Sequence, residues 1–146
     1  MQSVKVKHNV EMAHRLSLLP GKCEQIHGHS WWVTLELFAP RDENGIILNF
    51  TDVKKVFRSF LDLKFDHRLL LNRQDPLLQV VPARSITEHQ DTYPGLQTMA
   101  GDPTTENFAV IIGEWAKTTY EGTDLECIRV EVWETSVNCA TWEWYA

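Results

Sequence analysis

The chain has 146 residues, of which 43% are hydrophobic and 23% are charged, and its formal net charge is −6. The hydrophobic share excludes a disordered chain, and the length suits a single domain over residues 1–146. The excess of acidic residues argues against a nucleic-acid partner, because phosphate binding needs concentrated Lys and Arg. No run approaches the roughly 18 apolar residues of a membrane span, and the N-terminus lacks a signal-peptide core. We therefore expect a cytoplasmic protein with no membrane partner, and the odd count of three cysteines fits a reducing compartment.

The first half of the chain predicts two strands and a helix. Residues 31–38 place Val33, Leu35 and Leu37 on one face at a period of two, which is typical of a strand, and residues 4–10 are its predicted partner. After a turn at residues 40–45, a helix is predicted with Asn49 as its N-cap. Its apolar stripe comprises Val53, Val56, Phe57, Phe60 and Leu61.

The second half predicts another helix and two closing strands. Residues 73–103 contain four prolines and little periodicity, so they are predicted to form a long loop. A helix is predicted over residues 104–119, beginning at Asp102-Pro103 or at Thr104, because proline is tolerated in a first turn. Residues 128–133 and 140–145 alternate in polarity around a turn and form the second predicted hairpin.

Two hairpins with two helices between them predict an α+β fold. Its sheet would have four antiparallel strands, with both helices on one face. The opposite face would carry a second apolar set that includes Trp32 and Phe38. Such a face needs a cover, which indicates a homo-oligomer.

A pair of histidines is the most informative motif. His27 and His29 flank Gly28, and on an extended backbone their side chains point to the same side. His14, on the predicted neighbouring strand, could supply a third ligand, and three histidines with one open position are typical of catalytic zinc. The alternative is a strand entry with two solvent-facing imidazoles, because short motifs often match by chance.

Cys23 lies four residues before His27. A metal ion nearby would lower the pKa of its thiol and favour a thiolate. The alternative is a small buried residue, which is the usual fate of a free cysteine and the one predicted for Cys127 and Cys139.

Four further polar residues could take part in chemistry. Asp66 and His67 could provide an acid/base imidazole with a carboxylate close by, or simply a helix C-terminal histidine. Glu134 shares a strand face with apolar residues, so its carboxylate needs a partner such as a cationic or amidine-like ligand edge. Glu106 could equally be an ordinary carboxylate in the first turn of a helix.

Taken together, these segments resemble the 6-pyruvoyl-tetrahydropterin synthase family over nearly the whole chain, and within it the bacterial carboxy-tetrahydropterin synthase branch of queuosine biosynthesis. The matching pieces are Ala13-His14, Cys23-x-x-x-His27-Gly28-His29, residues 45–50, Asp66-His67 with Asn72, residues 103–107, and Glu134-Thr135. The spacing of three residues between Cys23 and His27 is that of the carboxy branch.

This resemblance implies the tunnelling fold, assembled as trimers or hexamers, and a zinc enzyme acting on 7,8-dihydroneopterin triphosphate. The expected products are 6-carboxy-5,6,7,8-tetrahydropterin, acetaldehyde and triphosphate. By the resemblance, His14, His27 and His29 bind Zn²⁺, Cys23 is the catalytic thiol, and His67 with Asp66 is an acid/base pair that reaches a neighbouring subunit's site. Glu134 would anchor the pterin with the help of Thr104, Thr105 and Glu106. Lys22 and Arg15 are the candidates for the triphosphate.

Alternative functions remain open at the level of sequence. Glu24 directly follows Cys23, and a glutamate in this region resembles the folate-pathway variant that forms 6-hydroxymethyl-dihydropterin. A pyruvoyl-type synthase is another alternative within the family. A catalytically silent pterin-binding module is a third, which the joint presence of Cys23, His67 and the three histidines disfavours.

Overall fold

A computed structural model describes residues 2–80 and 96–146. In chain order the regular elements are β1 (Ser3–His14), β2 (His27–Phe38), α1 (Phe50–Lys64), β3 (Arg68–Asn72), β4 (Leu96–Met99), α2 (Thr105–Thr119), β5 (Cys127–Trp133) and β6 (Cys139–Tyr145). Short 3₁₀ turns lie at Lys22–Glu24 and Pro76–Gln79. In this part of the chain, neither helix is long and apolar enough to cross a membrane.

The sheet is mixed and has six strands, in the order β4-β3-β1-β2-β5-β6. The predicted hairpins β1–β2 and β5–β6 are present, and β2 pairs with β5, all antiparallel. The prediction of four antiparallel strands is wrong, because β3 adds to β1 and β4 adds to β3, both in parallel. The two added strands are short, with five and four residues.

The segment 73–103 is accordingly not one long loop. It contains the turn Pro76–Gln79 and strand β4, whose residues Leu96 and Met99 are buried. Residues 81–95 of the predicted loop lie outside the described residues. They include His89, for which the sequence predicts a surface position.

Both helices begin at the predicted caps. The Asn49 side chain accepts a hydrogen bond from the backbone N–H of Thr51, and Thr104 accepts one from that of Asn107. In α1, Val53, Phe57 and Leu61 are buried as the periodicity predicts. Val56 is 43% exposed, because it lies at the margin of the stripe.

The core lies between the two helices and one face of the sheet. Opposed residues of antiparallel strands share a face, so Val6, Leu35 and Val130 point to the same side. They pack with the buried residues of both helices, as predicted, including Phe57 of α1 and Phe108 of α2.

The opposite sheet face is more polar than the sequence suggests. The buried Glu36 carboxylate lies 3.0 Å from Lys5 Nζ and accepts a hydrogen bond from the Ser3 hydroxyl. Trp32 is 44% exposed on this face. This agrees with the prediction that the second face carries apolar residues that no helix covers. The face therefore combines charged pairs with exposed aromatic rings.

Candidate metal centre

The strand register brings the three histidines together. His14 at the end of β1 is paired with His27 at the start of β2, and Met12 is paired with His29. All three imidazoles consequently project from the helix-covered face of the hairpin. Trp31, the next residue on that face of β2, packs edge-on against His14 and His29, with ring centroids 4.9 and 5.4 Å away.

The imidazoles converge at the distances that a metal ion requires. One ligand nitrogen from each ring lies within 4.8 Å of the other two, and the Nε2 atoms of His14 and His27 are 3.1 Å apart. Two nitrogens held about 2.0–2.1 Å from one tetrahedral ion are about 3.4 Å apart. The sequence prediction that the three rings converge is confirmed.

Hydrogen bonds to backbone carbonyls orient two of these rings. The His14 Nδ1–H donates to the Pro103 carbonyl and the His27 Nδ1–H donates to the Gln25 carbonyl, each over 2.7 Å. Each Nε2 then carries a lone pair, so the two facing nitrogens cannot bond to each other and a cation between them satisfies both.

The third ring, that of His29, also supports a cation between the imidazoles. His29 Nε2 is buried and has no hydrogen-bond partner among the described residues. Burial lowers the pKa of His14 and of His29, which keeps both imidazoles neutral and able to bind a metal. The donor set therefore fits a divalent cation that prefers nitrogen ligands.

Glu134 also faces this cluster. It follows β5 directly, and its Oε1 lies 3.4 Å from His14 Nε2 and 3.7 Å from His29 Nε2. Its backbone N–H donates to the Asn138 carbonyl across the β5–β6 turn. The carboxylate thus lies beside neutral imidazoles, which are not the cationic or amidine-like partner that the sequence predicts for it.

Cys23 lies in the exposed turn Lys22–Glu24, between β1 and β2. Its carbonyl accepts a 2.8 Å hydrogen bond from the Leu16 N–H, which ties the turn to the end of β1. The exposed Lys22 and Glu24 belong to the same turn. Of the two cysteines predicted to be buried, Cys127 is buried, but Cys139 is exposed because its side chain lies on the open sheet face.

Asp66 and His67 form a pair of their own. The His67 Nδ1 lies 2.6 Å from Asp66 Oδ2, and Asp66 Oδ1 accepts a hydrogen bond from the Glu11 N–H. His67 has a positive φ of 58° and its side chain is 78% exposed. Among the described residues its ring contacts Asp66 and not the histidine cluster, so one copy of the chain does not bring the two groups together.

The remaining predicted binding residues have structural partners or face solvent. Thr104 caps α2, Thr105 begins it, and Glu106 is exposed in its first turn. Arg15 Nε lies 3.2 Å from the buried Asp75 carboxylate. This ion pair occupies the guanidinium that the sequence assigned to triphosphate.

Sequence reasoning missed a buried carboxylate next to the cluster. Asp102 accepts hydrogen bonds from the Ser17 hydroxyl, the Leu18 N–H and the Asn72 amide. Burial opposes ionisation of Asp102, but these hydrogen bonds outweigh it and lower its pKa. The sequence signal, an Asp before Pro103, predicts only a possible start of α2.

Comparison with known proteins identifies relatives along nearly the whole chain. The family model described as 6-pyruvoyl tetrahydropterin synthase matches residues 3–144. The 6-carboxy-5,6,7,8-tetrahydropterin synthase of Rickettsia typhi is 27% identical over 103 residues, which are 68% of this chain and 69% of that protein. The protein of the same name from Rickettsia bellii is 25% identical over 133 residues, which are 88% of this chain and 90% of that protein.

Solved structures share the fold. The 6-pyruvoyl tetrahydropterin synthase of Caenorhabditis elegans matches with a TM-score of 0.66 and 22% identity, over 97% of this chain and 94% of that one. A mutant of the Plasmodium vivax 6-pyruvoyltetrahydropterin synthase matches with a TM-score of 0.74 and 17% identity over the whole of both chains. Since the family match covers almost every residue, this chain belongs to the 6-pyruvoyl tetrahydropterin synthase family.

Proposed function

We propose that this chain is a zinc-dependent 6-carboxy-5,6,7,8-tetrahydropterin synthase. It would convert 7,8-dihydroneopterin triphosphate to the carboxypterin with release of acetaldehyde and triphosphate. The observation that carries the proposal is the convergence of His14, His27 and His29, with two rings oriented by carbonyls and their Nε2 atoms 3.1 Å apart. The curated relatives from the two Rickettsia species, which carry the name of this enzyme, support the choice of product.

The three imidazoles would hold the zinc through neutral ring nitrogens. Bound zinc would supply Lewis-acid polarisation of the substrate's side-chain hydroxyls. Cys23 and His67 are the proposed catalytic residues, which take up and return protons as the triphosphate leaves. The hydrogen bond to Asp66 at 2.6 Å holds the His67 Nδ1–H, so the Nε2 of that ring is the atom that exchanges a proton.

Glu134 is the proposed anchor of the pterin ring. A carboxylate can accept two parallel hydrogen bonds from the 2-amino group and the N3–H of a pterin, a bidentate arrangement that fixes orientation. Glu134 lies close to His14 and His29, so a pterin bound to it would have its side chain next to the metal. Thr104, Thr105 and Glu106 are proposed to help at the start of α2, and Lys22 is the remaining candidate for the triphosphate.

The test combines metal analysis with identification of the product. Purified protein should contain close to one zinc per chain and should release acetaldehyde from 7,8-dihydroneopterin triphosphate. His27→Ala should remove the metal and the activity, while His8→Ala, which removes a histidine paired with Asp62 on α1, should keep both. Full zinc occupancy in His27→Ala would contradict the ligand assignment.

Glu24 favours a second candidate within the family. It adjoins Cys23 in the same exposed turn and could compete with the thiol for the proton of the substrate side chain. The folate-type reaction would then yield 6-hydroxymethyl-dihydropterin without acetaldehyde. If wild-type protein forms that product, a Glu24→Gln variant should shift the ratio towards the carboxypterin.

The proposal extends to the assembly and the setting of the enzyme. We expect residues 1–146 to act as one pterin synthase domain in a homotrimer or homohexamer. The uncovered aromatic residues of the second sheet face and the exposed His67 support an oligomer. The expected compartment is the cytoplasm.

A further inference from the structure

The Asp102 carboxylate joins three separate segments of the chain. It is 7% exposed and lies in the turn that precedes α2. Oδ1 accepts hydrogen bonds from the Ser17 hydroxyl at 2.7 Å and the Asn72 amide at 3.0 Å, and Oδ2 accepts one from the Leu18 N–H at 2.7 Å. The donors come from the chain after β1 and from the end of β3, so a single side chain fixes both segments against α2.

The backbone of the same residue fixes the carbonyl that orients His14. The Asp102 carbonyl accepts hydrogen bonds from the Thr104 N–H and from the Asn107 side chain, each over 2.8 Å. These bonds close a tight turn around Pro103, whose own carbonyl receives the His14 Nδ1–H at 2.7 Å. The orientation of the His14 ring therefore depends on the conformation of residues 102–104.

The segment held by the Asp102 side chain leads to Cys23. Ser17 and Leu18 lie between His14 and the turn Lys22–Glu24, and Leu16 donates its N–H to the Cys23 carbonyl. Leu18 and Leu19 are largely exposed, so few apolar contacts hold this stretch. Its hydrogen bonds to Asp102 therefore act together with the buried Leu16 side chain to constrain where the loop lies relative to the histidines.

We propose that Asp102 is a positioning residue that holds His14 in its metal-binding orientation and fixes the loop that carries Cys23. This inference rests on the proposed function, since it assumes that His14 binds the metal. A metal-bound histidine is commonly oriented by the acceptor of its other ring N–H, and loss of such support typically lowers metal affinity by about 10–100-fold. Asp102 acts one step further out: its side chain anchors to Ser17, Leu18 and Asn72 the turn whose Pro103 carbonyl orients His14.

The test compares Asp102→Asn with a matched change in another buried carboxylate. Asparagine keeps the shape of the side chain but replaces one acceptor oxygen by a donor, which opposes either the Leu18 N–H or the Asn72 amide N–H. Glu36→Gln is the control, because Glu36 is also buried and hydrogen-bonded but lies on the opposite sheet face. Zinc affinity is measured by competition with a chelator, and global stability by urea unfolding of the metal-free proteins.

We expect Asp102→Asn to weaken zinc binding by about 10–100-fold, and Glu36→Gln to leave zinc affinity within about twofold of wild type even where it lowers stability. Ser17→Ala removes one donor and serves as the milder variant if Asp102→Asn fails to fold, with an expected loss of severalfold. Alkylation of Cys23 is measured in the metal-free protein in a Cys139→Ala background. Asp102→Asn and Ser17→Ala should each make this alkylation faster, because the loop is less constrained.

The outcomes separate the two levels of the proposal. Wild-type zinc affinity in the folded Asp102→Asn or Ser17→Ala protein, with unchanged alkylation of Cys23, would overturn the positioning role and leave the proposed function intact. A wild-type protein that binds no zinc would overturn the proposed function and this inference with it. An equal loss of zinc affinity in Glu36→Gln would show that destabilisation alone accounts for the effect, and would also overturn the inference.

Discussion

The imidazoles of His14 and His29 should make the metal-free protein sensitive to mild acid. Burial lowers the pKa of His14 and His29 below their usual value of 6.5. As the pH falls through 6.5, the unfolded chain binds protons that the folded chain does not, so the free energy of unfolding falls with it. The loss continues until the pH passes the lowered pKa values of the folded state.

Urea unfolding of the metal-free protein at a series of pH values measures this effect. A variant with Gln at positions 14 and 29 should lose the slope below pH 6.5. Glu36 and Asp102 also have lowered pKa values, but they lose their contribution only at more acidic pH, below the values of 4.5 and 3.8 for ordinary carboxyl groups. A slope that persists in the double variant would contradict the assignment to the imidazoles.

Cys23 provides a residue-level test of the chemistry. Cys23→Ala should lose nearly all turnover yet keep the zinc and bind the pterin, because the thiol lies in a turn outside the histidine cluster. Removal of an acid/base or nucleophilic group typically costs about 10²–10⁴-fold in rate. Cys139→Ala is the matched control, since it removes another exposed thiol, on the open sheet face. Retention of full activity in Cys23→Ala would remove this residue from the mechanism.

At the scale of elements, the packing of α2 on β6 depends on Gly113. A Cβ built at this position would lie 2.2 Å from two atoms of the Trp142 ring, so the helix can approach the strand only with glycine there. Gly113→Ala gains about 1 kcal/mol of helix propensity but forces the indole to move, and overpacking of this kind typically costs about 1–3 kcal/mol.

We expect Gly113→Ala to lower the free energy of unfolding by up to about 2 kcal/mol, measured by urea unfolding. Thr118→Ala on the exposed side of α2 should instead be neutral or slightly stabilising. The combined Gly113→Ala and Trp142→Leu protein should lose less stability than the sum of the two single changes, since the smaller side chain relieves the overlap. If Gly113→Ala instead raises the free energy of unfolding, Trp142 can move at little cost and the contact does not require glycine.

The sequence predicts elements well where a local rule applies and poorly where pairing is remote. The caps at Asn49 and Thr104 are local hydrogen bonds, and the strands of both hairpins alternate visibly in polarity. In β3, Leu70 and Leu71 are both buried, so the strand shows no alternation. Continuous apolar runs of this kind are typical of strands covered on both faces. The other added strand, β4, has only four residues. The sequence therefore predicts neither strand and neither parallel pairing.

In the candidate site, too, the sequence predicts the local features and not the remote contacts. His27 and His29 are two residues apart, so their convergence follows from strand geometry, and His14 joins them through the register of one hairpin. The role of Asp102 could not be predicted, because its donors Ser17 and Asn72 are 85 and 30 residues away in sequence. Contacts between distant loops depend on the whole tertiary fold, which no local pattern encodes.

At the scale of the whole molecule, the proposed function predicts that His67 acts in the site of a second copy of the chain. Its ring is 78% exposed and, among the described residues, contacts Asp66 rather than the histidine cluster. If the proposed function holds, Cys23 of one subunit and His67 of its neighbour complete each site. Cys23→Ala and His67→Ala would then each be inactive alone and complementary when mixed.

Subunits of the two inactive variants, mixed in equal amounts and allowed to exchange, should therefore regain activity. A site is complete when one subunit keeps Cys23 and its neighbour keeps His67, which random assembly achieves in about a quarter of the sites. Each variant carried through the same exchange by itself controls for the treatment. Native mass spectrometry verifies that mixed oligomers form. If verified mixed oligomers stay inactive, both groups act within one chain. His67 would then have to turn inward from its position just before β3, breaking its hydrogen bond to Asp66.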